Sequence, residues 1–129
     1  MRFFVSAAAL SALALAAGCS SSQKPVPAFE VGALPVMERV ALGANRCWFK
    51  SRDPMFTAYK LAPELNSFSG TPRILLVKQH APESRPLLVV QASGSPAKID
   101  AFGPLMNEPA VSARVHKDVN AWVRGGQGC

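Results

Sequence analysis

Two stretches, Arg73-Ile74-Leu75-Leu76-Val77-Lys78 and Leu87-Leu88-Val89-Val90-Gln91-Ala92, decide the fold. Each is a short aliphatic run bounded by turn residues, the pattern of a strand. Between them, His80-Ala81-Pro82-Glu83-Ser84-Arg85-Pro86 is a connection of hairpin length, so the two are expected to pair antiparallel. Apolarity this continuous belongs to central strands. One face should be covered by helices, and the other at least partly by the chain's own loops or by a partner.

Working outward, Ser93-Gly94-Ser95-Pro96 is a turn, and Ala97-Lys98-Ile99-Asp100-Ala101-Phe102 alternates as a half-exposed strand does. Upstream, Ser51-Arg52-Asp53-Pro54 is turn chemistry. Phe56, Ala58 and Leu61 suggest a short strand after it, and Pro63 confines whatever follows to a sheet edge or a loop. Residues 66–72 read as a loop.

Helical spacing appears twice. Met37, Val40, Ala41, Ala44 and Trp48 fall on one face of a helix expected over 35–48, with Pro35 in its first turn. Val111, Val115, Val119 and Trp122 or Val123 do the same over 111–124, closed by Gly125-Gly126. The segment 103–109 between strand and helix reads as a loop with two exposable apolar residues, Leu105 and Met106. The fold class is therefore α+β: an antiparallel meander of three to four strands, with an N-terminal and a C-terminal helix packed on one face. Residues 30–129 form a single domain without internal repeats.

The N-terminus carries a different signal. Arg2 precedes an apolar run of about 15 residues, short of the roughly 20 that a spanning helix needs. Small residues then lead into a cysteine, as in an export signal. Leu15-Ala16-Ala17-Gly18-Cys19 resembles the lipobox of bacterial lipoproteins, with Ala16 where that family most often has leucine. The resemblance implies diacylglycerol on the Cys19 sulfur, cleavage between Gly18 and Cys19, and acylation (for example by palmitate) of the new N-terminus. Residues 1–18 would then be the signal peptide. Residues 19–29, polar and marked by Pro25 and Pro27, would be a flexible tether. Position 20 is serine, not the aspartate that in this family favours inner-membrane retention. The implied address is the bacterial cell envelope, lipid-anchored at the outer membrane and facing the periplasm. Multiple acyl chains hold a protein lastingly, whereas one holds it only marginally.

The chain carries 14 basic and 8 acidic residues, a formal charge of +6. Without Arg2 the balance is +5, enough to attract anionic lipid or lipopolysaccharide, or simply to keep the protein from associating. It speaks against a basic partner such as lysozyme. An exported chain without an aromatic-interleaved basic motif gives no reason to expect nucleic acid.

With Cys19 committed to lipid, Cys47 and Cys129 remain, and in an oxidising compartment two cysteines most simply pair. The bridge would close a loop of about 80 residues, for which chain entropy allows roughly 4–5 kcal/mol. It also requires the two helices to be neighbours. A reactive thiol or a metal ligand are the alternatives, but neither cysteine has a C-x-x-C or a histidine at ligand spacing, so no metal is expected. Trp48 and Trp122 lie near these cysteines in sequence and are expected to pack around the bridge.

Catalytic constellations are sparse. His80 and His116 lack a recognisable partner in sequence, and Glu64 and Asp53 could in principle act as paired carboxylates. No P-loop, H-E-x-x-H, G-x-S-x-G or dinucleotide signature occurs, and no cofactor is expected. Arg46, Lys50 and Arg52 flank Trp48 and Phe49 at the end of the first helix. They read either as a candidate anion-binding site with an aromatic wedge, or as cations stabilising the helix C-terminus. Three functions follow in order: a non-enzymatic binding or scaffolding module for another envelope component, a reader of anionic lipid or lipopolysaccharide through the basic cluster, and a cell-wall hydrolase.

Overall fold

The computed structural model describes residues 31–66 and 68–129. The lipobox-like stretch with Gly18 and Cys19, the signal peptide and the tether lie outside the described residues.

The chain reads helix, four strands, helix. Helix α1 (Ala33–Ala44) passes directly into a π-helical turn (Asn45–Lys50). Strands β1 (Tyr59–Glu64), β2 (Arg73–Lys78), β3 (Leu88–Ser93) and β4 (Lys98–Phe102) form one antiparallel sheet in sequential order. A 3₁₀ turn (Pro104–Asn107) leads into helix α2 (Pro109–Val123). The fold is α+β, and the meander has four strands.

Strand alternation sorts the sheet into two faces. Ile74, Leu76, Leu88, Val90 and Ala92 point to the helices and join Met37, Val40, Trp48, Val115, Val119 and Trp122 in the core. The opposite face carries a register row across all four strands, Ala62–Leu75–Val89–Phe102. Both faces of the central strands are apolar, which explains their unbroken aliphatic runs.

The two helices meet at Gly43. A Cβ there would stand 2.3 Å from Cδ2 of Trp122, so only glycine lets the indole lie against α1. The contact brings the end of α1 to the tail of α2. Cys47, in the π-helical turn, and Cys129 are joined by a disulfide across 82 residues of sequence.

Several boundaries differ from the sequence reading. Helix α1 begins at Ala33, two residues before Pro35. The first-turn N–H groups have no helical partner, so proline is tolerated anywhere in that turn. The strand expected around Phe56 lies instead at Tyr59–Glu64. Phe56 sits in the preceding turn, where Asp53 O accepts its N–H, and its ring stacks on Trp48 with centroids 4.5 Å apart. Pro63 is inside this strand, on the edge. Residues 104–107 coil into a 3₁₀ turn that buries Leu105, so that residue is not exposable. Pro109 opens α2 two residues earlier than expected, its missing donor being harmless there.

Candidate functional site

Trp48 decides how the end of α1 is built. It is 0 % exposed, sandwiched between Phe56 and Trp122, whose ring centroids lie 4.5 and 5.1 Å away. An indole N–H in that position must find an acceptor, and Asp118 of α2 supplies Oδ2 at 2.8 Å. Asp118 is 4 % exposed and would be a costly buried charge alone. Arg114, one turn earlier on α2, donates Nε to the same Oδ2 at 2.6 Å, and its Nη2 reaches Asp53 Oδ2 at 2.8 Å. Asp53 in turn accepts the Met55 N–H on Oδ1 at 3.0 Å, closing the turn after the π-helical segment. The hydrogen bond to Asp118 holds the Arg114 guanidinium above its ordinary value, against the opposing effect of burial. This is a structural clamp between the two helices and the turn. Sequence reasoning missed Asp118, whose only signal was an acidic residue beside Val119 on the apolar stripe of α2.

The sequence-predicted groups fall in separate places. Trp48 is buried and so is no part of an aromatic wedge beside Arg46, Lys50 and Arg52, whereas Phe49 is half-buried. All three arginine and lysine side chains are exposed. Arg46 borders a 240 Å³ cleft with Arg39 and the C-terminal Gly125 and Gly126. Arg52 has φ of 56°, the left-handed geometry that usually ends a helix at glycine, and its N–H reaches Phe49 O at 3.0 Å. Its backbone therefore has a helix-ending role. Glu64 and Asp53 are not a carboxylate pair: Glu64 holds Arg73 at 2.6 Å across the β1–β2 register, and Asp53 holds Arg114. His116 stands exposed on α2. Trp122 donates its indole N–H to Gly128 O at 3.2 Å, packing the disulfide-bearing tail onto the helix.

The groove that remains lies between α1 and the free edge of β1. Its first half is a cavity of 560 Å³ lined by Ala41, Leu42, Leu61, Pro63 and Leu65, with Glu38 and Asn45 at the border. Leu42 is 65 % exposed there, a large apolar side chain left to solvent on a helix otherwise buried along one stripe. The second half, 520 Å³, shares Asn45 and Leu61 and adds Phe49, Tyr59, Lys60, Gln79 and His80. His80 borders this second half. Both volumes fall within the roughly 300–1,000 Å³ of small-molecule sites.

Among the described residues no group of three or more His, Cys, Asp and Glu could hold a metal ion, and no helix is long and apolar enough to cross a membrane. The architecture defines a small disulfide-closed α+β domain with an amphipathic groove along one sheet edge. Compared with protein-family models, curated proteins and solved structures, the chain matches none.

Proposed function

We propose that this chain is a lipid-anchored bacterial envelope protein acting as a non-enzymatic binding or scaffolding module, with the α1–β1 groove as its recognition surface. The observation that carries the reading is the covalent ring between Cys47 and Cys129, downstream of a stretch resembling a lipobox. Disulfides persist in oxidising compartments, and the lipobox resemblance points to one. The two carboxylates the sequence offered for acid–base work, Asp53 and Glu64, are each held by an arginine, Arg114 and Arg73, and so offer the hydrolase alternative no support. In this reading the domain faces the periplasm from the outer membrane, held through acylated Cys19.

Two measurements on the native protein test it. Mass spectrometry of the N-terminal peptide should find Cys19 as the first residue, carrying diacylglycerol and an amide-linked acyl chain. Cross-linking in intact envelopes, followed by purification, should recover an envelope component whose yield falls when Leu42 is replaced by aspartate. An unmodified N-terminus would remove the address, and envelopes that yield no component would remove the binding role.

A further inference from the structure

The two edges of the sheet end differently. Gln79 N–H donates to Ala58 O, and Ala92 N–H to Pro72 O, which fixes the alternation of the ladders. On β1 the main-chain groups of Lys60, Ala62 and Glu64 bond to β2, while those of Leu61 and Pro63 face outward, where Pro63 has no N–H. On β4 the groups of Lys98, Asp100 and Phe102 bond to β3, while those of Ala97, Ile99 and Ala101 face outward. Ala97 gives its N–H to Val31 O at 3.0 Å. Ile99 and Ala101 each keep a complete donor–acceptor pair, with no main-chain partner among the described residues. An edge left in that state is a template for a further strand.

The chain's own N-terminal segment fits it. Val31 O meets Ala97 N–H, and Ala33 N–H meets Gly94 O at 3.0 Å, so the chain entering α1 runs antiparallel to β4. Carried back from Val31 opposite Ala97, this register sets Glu30 against Lys98, Phe29 against Ile99, Ala28 against Asp100 and Pro27 against Ala101. Lys98 is exposed and joins none of the ion pairs among the described residues, and Glu30 carries the opposite charge. Phe29 opposite half-buried Ile99 is an aromatic–β-branched pair, of the kind that stabilises a sheet. Pro27 has no N–H to give Ala101 O, which ends the ladder there. We infer that residues 27–30 add to β4 as an antiparallel fifth strand, closing the open edge of the sheet.

The strand also sets how the domain stands on its anchor. Residues 20–26 are then the free span from Cys19, reaching about 23 Å when extended, and they leave from the β4 edge. β1 lies at the other edge of the sheet, about 14 Å across. The α1–β1 groove therefore opens on the side away from the anchored edge. That consequence rests on the binding-module reading, whereas the strand itself does not.

Amide hydrogen exchange on the protein purified from membranes, held in phosphatidylcholine nanodiscs and resolved to single amides, tests the strand. Ile99 and Ala101 are expected to exchange at least about tenfold slower than free amides. Glu30→Lys should lower that protection by about threefold, and adding Lys98→Glu should restore it. Slow exchange at Lys98, Asp100 and Phe102, which bond to β3, shows that each variant keeps its sheet. Free-amide rates at Ile99 and Ala101 in the wild type overturn the assignment, as does protection that the charge reversal leaves unchanged. Protection that falls on dilution overturns it too, and gives the edge to a second copy of the chain. None of these removes the binding-module reading, which depends on the envelope component recovered from cells.

Discussion

The indole N–H of Trp48 and the carboxylate of Asp118 meet 2.8 Å apart, joining the π-helical turn to α2 within the core. The contact ties the end of the groove's α1 wall to the core, because Trp48 is also where Phe56 and Trp122 stack.

Removing the acceptor should be costly in a graded way. Asp118→Ala leaves the Trp48 N–H unsatisfied and Arg114 with Asp53 alone, and is expected to cost about 3 kcal/mol. Asp118→Asn keeps an acceptor but loses the charge, and should cost about 1–2 kcal/mol. Urea-unfolding midpoints at matched slopes distinguish the two, and equal losses would mean that the charge on Asp118 accounts for the whole effect and a neutral acceptor recovers none of it.

Gly43 gives a test by sign. In an exposed helix, Gly→Ala raises stability by about 1 kcal/mol through propensity. Here the added Cβ would stand 2.3 Å from the Trp122 ring, so Gly43→Ala is expected to destabilise by about 1–3 kcal/mol. A raised melting temperature would show that the helices are not held this close.

The Cys47–Cys129 bridge spans 82 residues and so restricts much of the unfolded chain. Replacing both cysteines by alanine should cost about 2–5 kcal/mol. For a domain of this size that lowers Tm by about 10 °C or more. Melting the wild type with and without reductant should reproduce the same difference, and a reductant-insensitive Tm would mean that the thiols are free.

Much of the architecture is legible in local pattern. Aliphatic runs at 73–78 and 88–92 and the stripe Val111, Val115, Val119, Trp122 each mark their elements, because the burial they produce has the period of the backbone that carries them. What pattern cannot convey is contact between distant elements. Phe56 reads as a strand residue but fills the space beneath Trp48, and Asp118 reads as solvated until α2 turns it toward an indole 70 positions away. The basic cluster illustrates the converse. Arg46, Lys50 and Arg52 are adjacent in sequence, yet Trp48 between them points inward, and the groove is assembled from α1, β1 and the hairpin after β2. A groove between a helix and a sheet edge has no contiguous sequence signature.

Arg52 provides a way to separate a conformational role from a charge role. At φ of 56° an arginine carries left-handed strain of about 1 kcal/mol that glycine does not. Arg52→Gly is expected to raise stability by about 0.5 kcal/mol, net of the added freedom of the unfolded chain. A loss of stability would mean that the guanidinium contributes contacts of its own.

The edge of β1 is guarded by the residue that ends its pairing capacity. Pro63 sits opposite Ile74 at an outward-facing position, where a residue with an N–H would present a donor to any passing strand. Pro63→Thr restores that donor and adds a β-branched side chain, while leaving every bond to β2 in place, since Pro63 makes none. The variant should therefore unfold at nearly the wild-type midpoint yet associate as concentration rises, with two β1 edges pairing. Sedimentation velocity over a concentration series measures this. A variant that stays as monodisperse as the wild type would place the protection elsewhere, in the Lys60 charge or the Leu42 side of the groove, and would reopen strand addition as a mode of recognition at this edge.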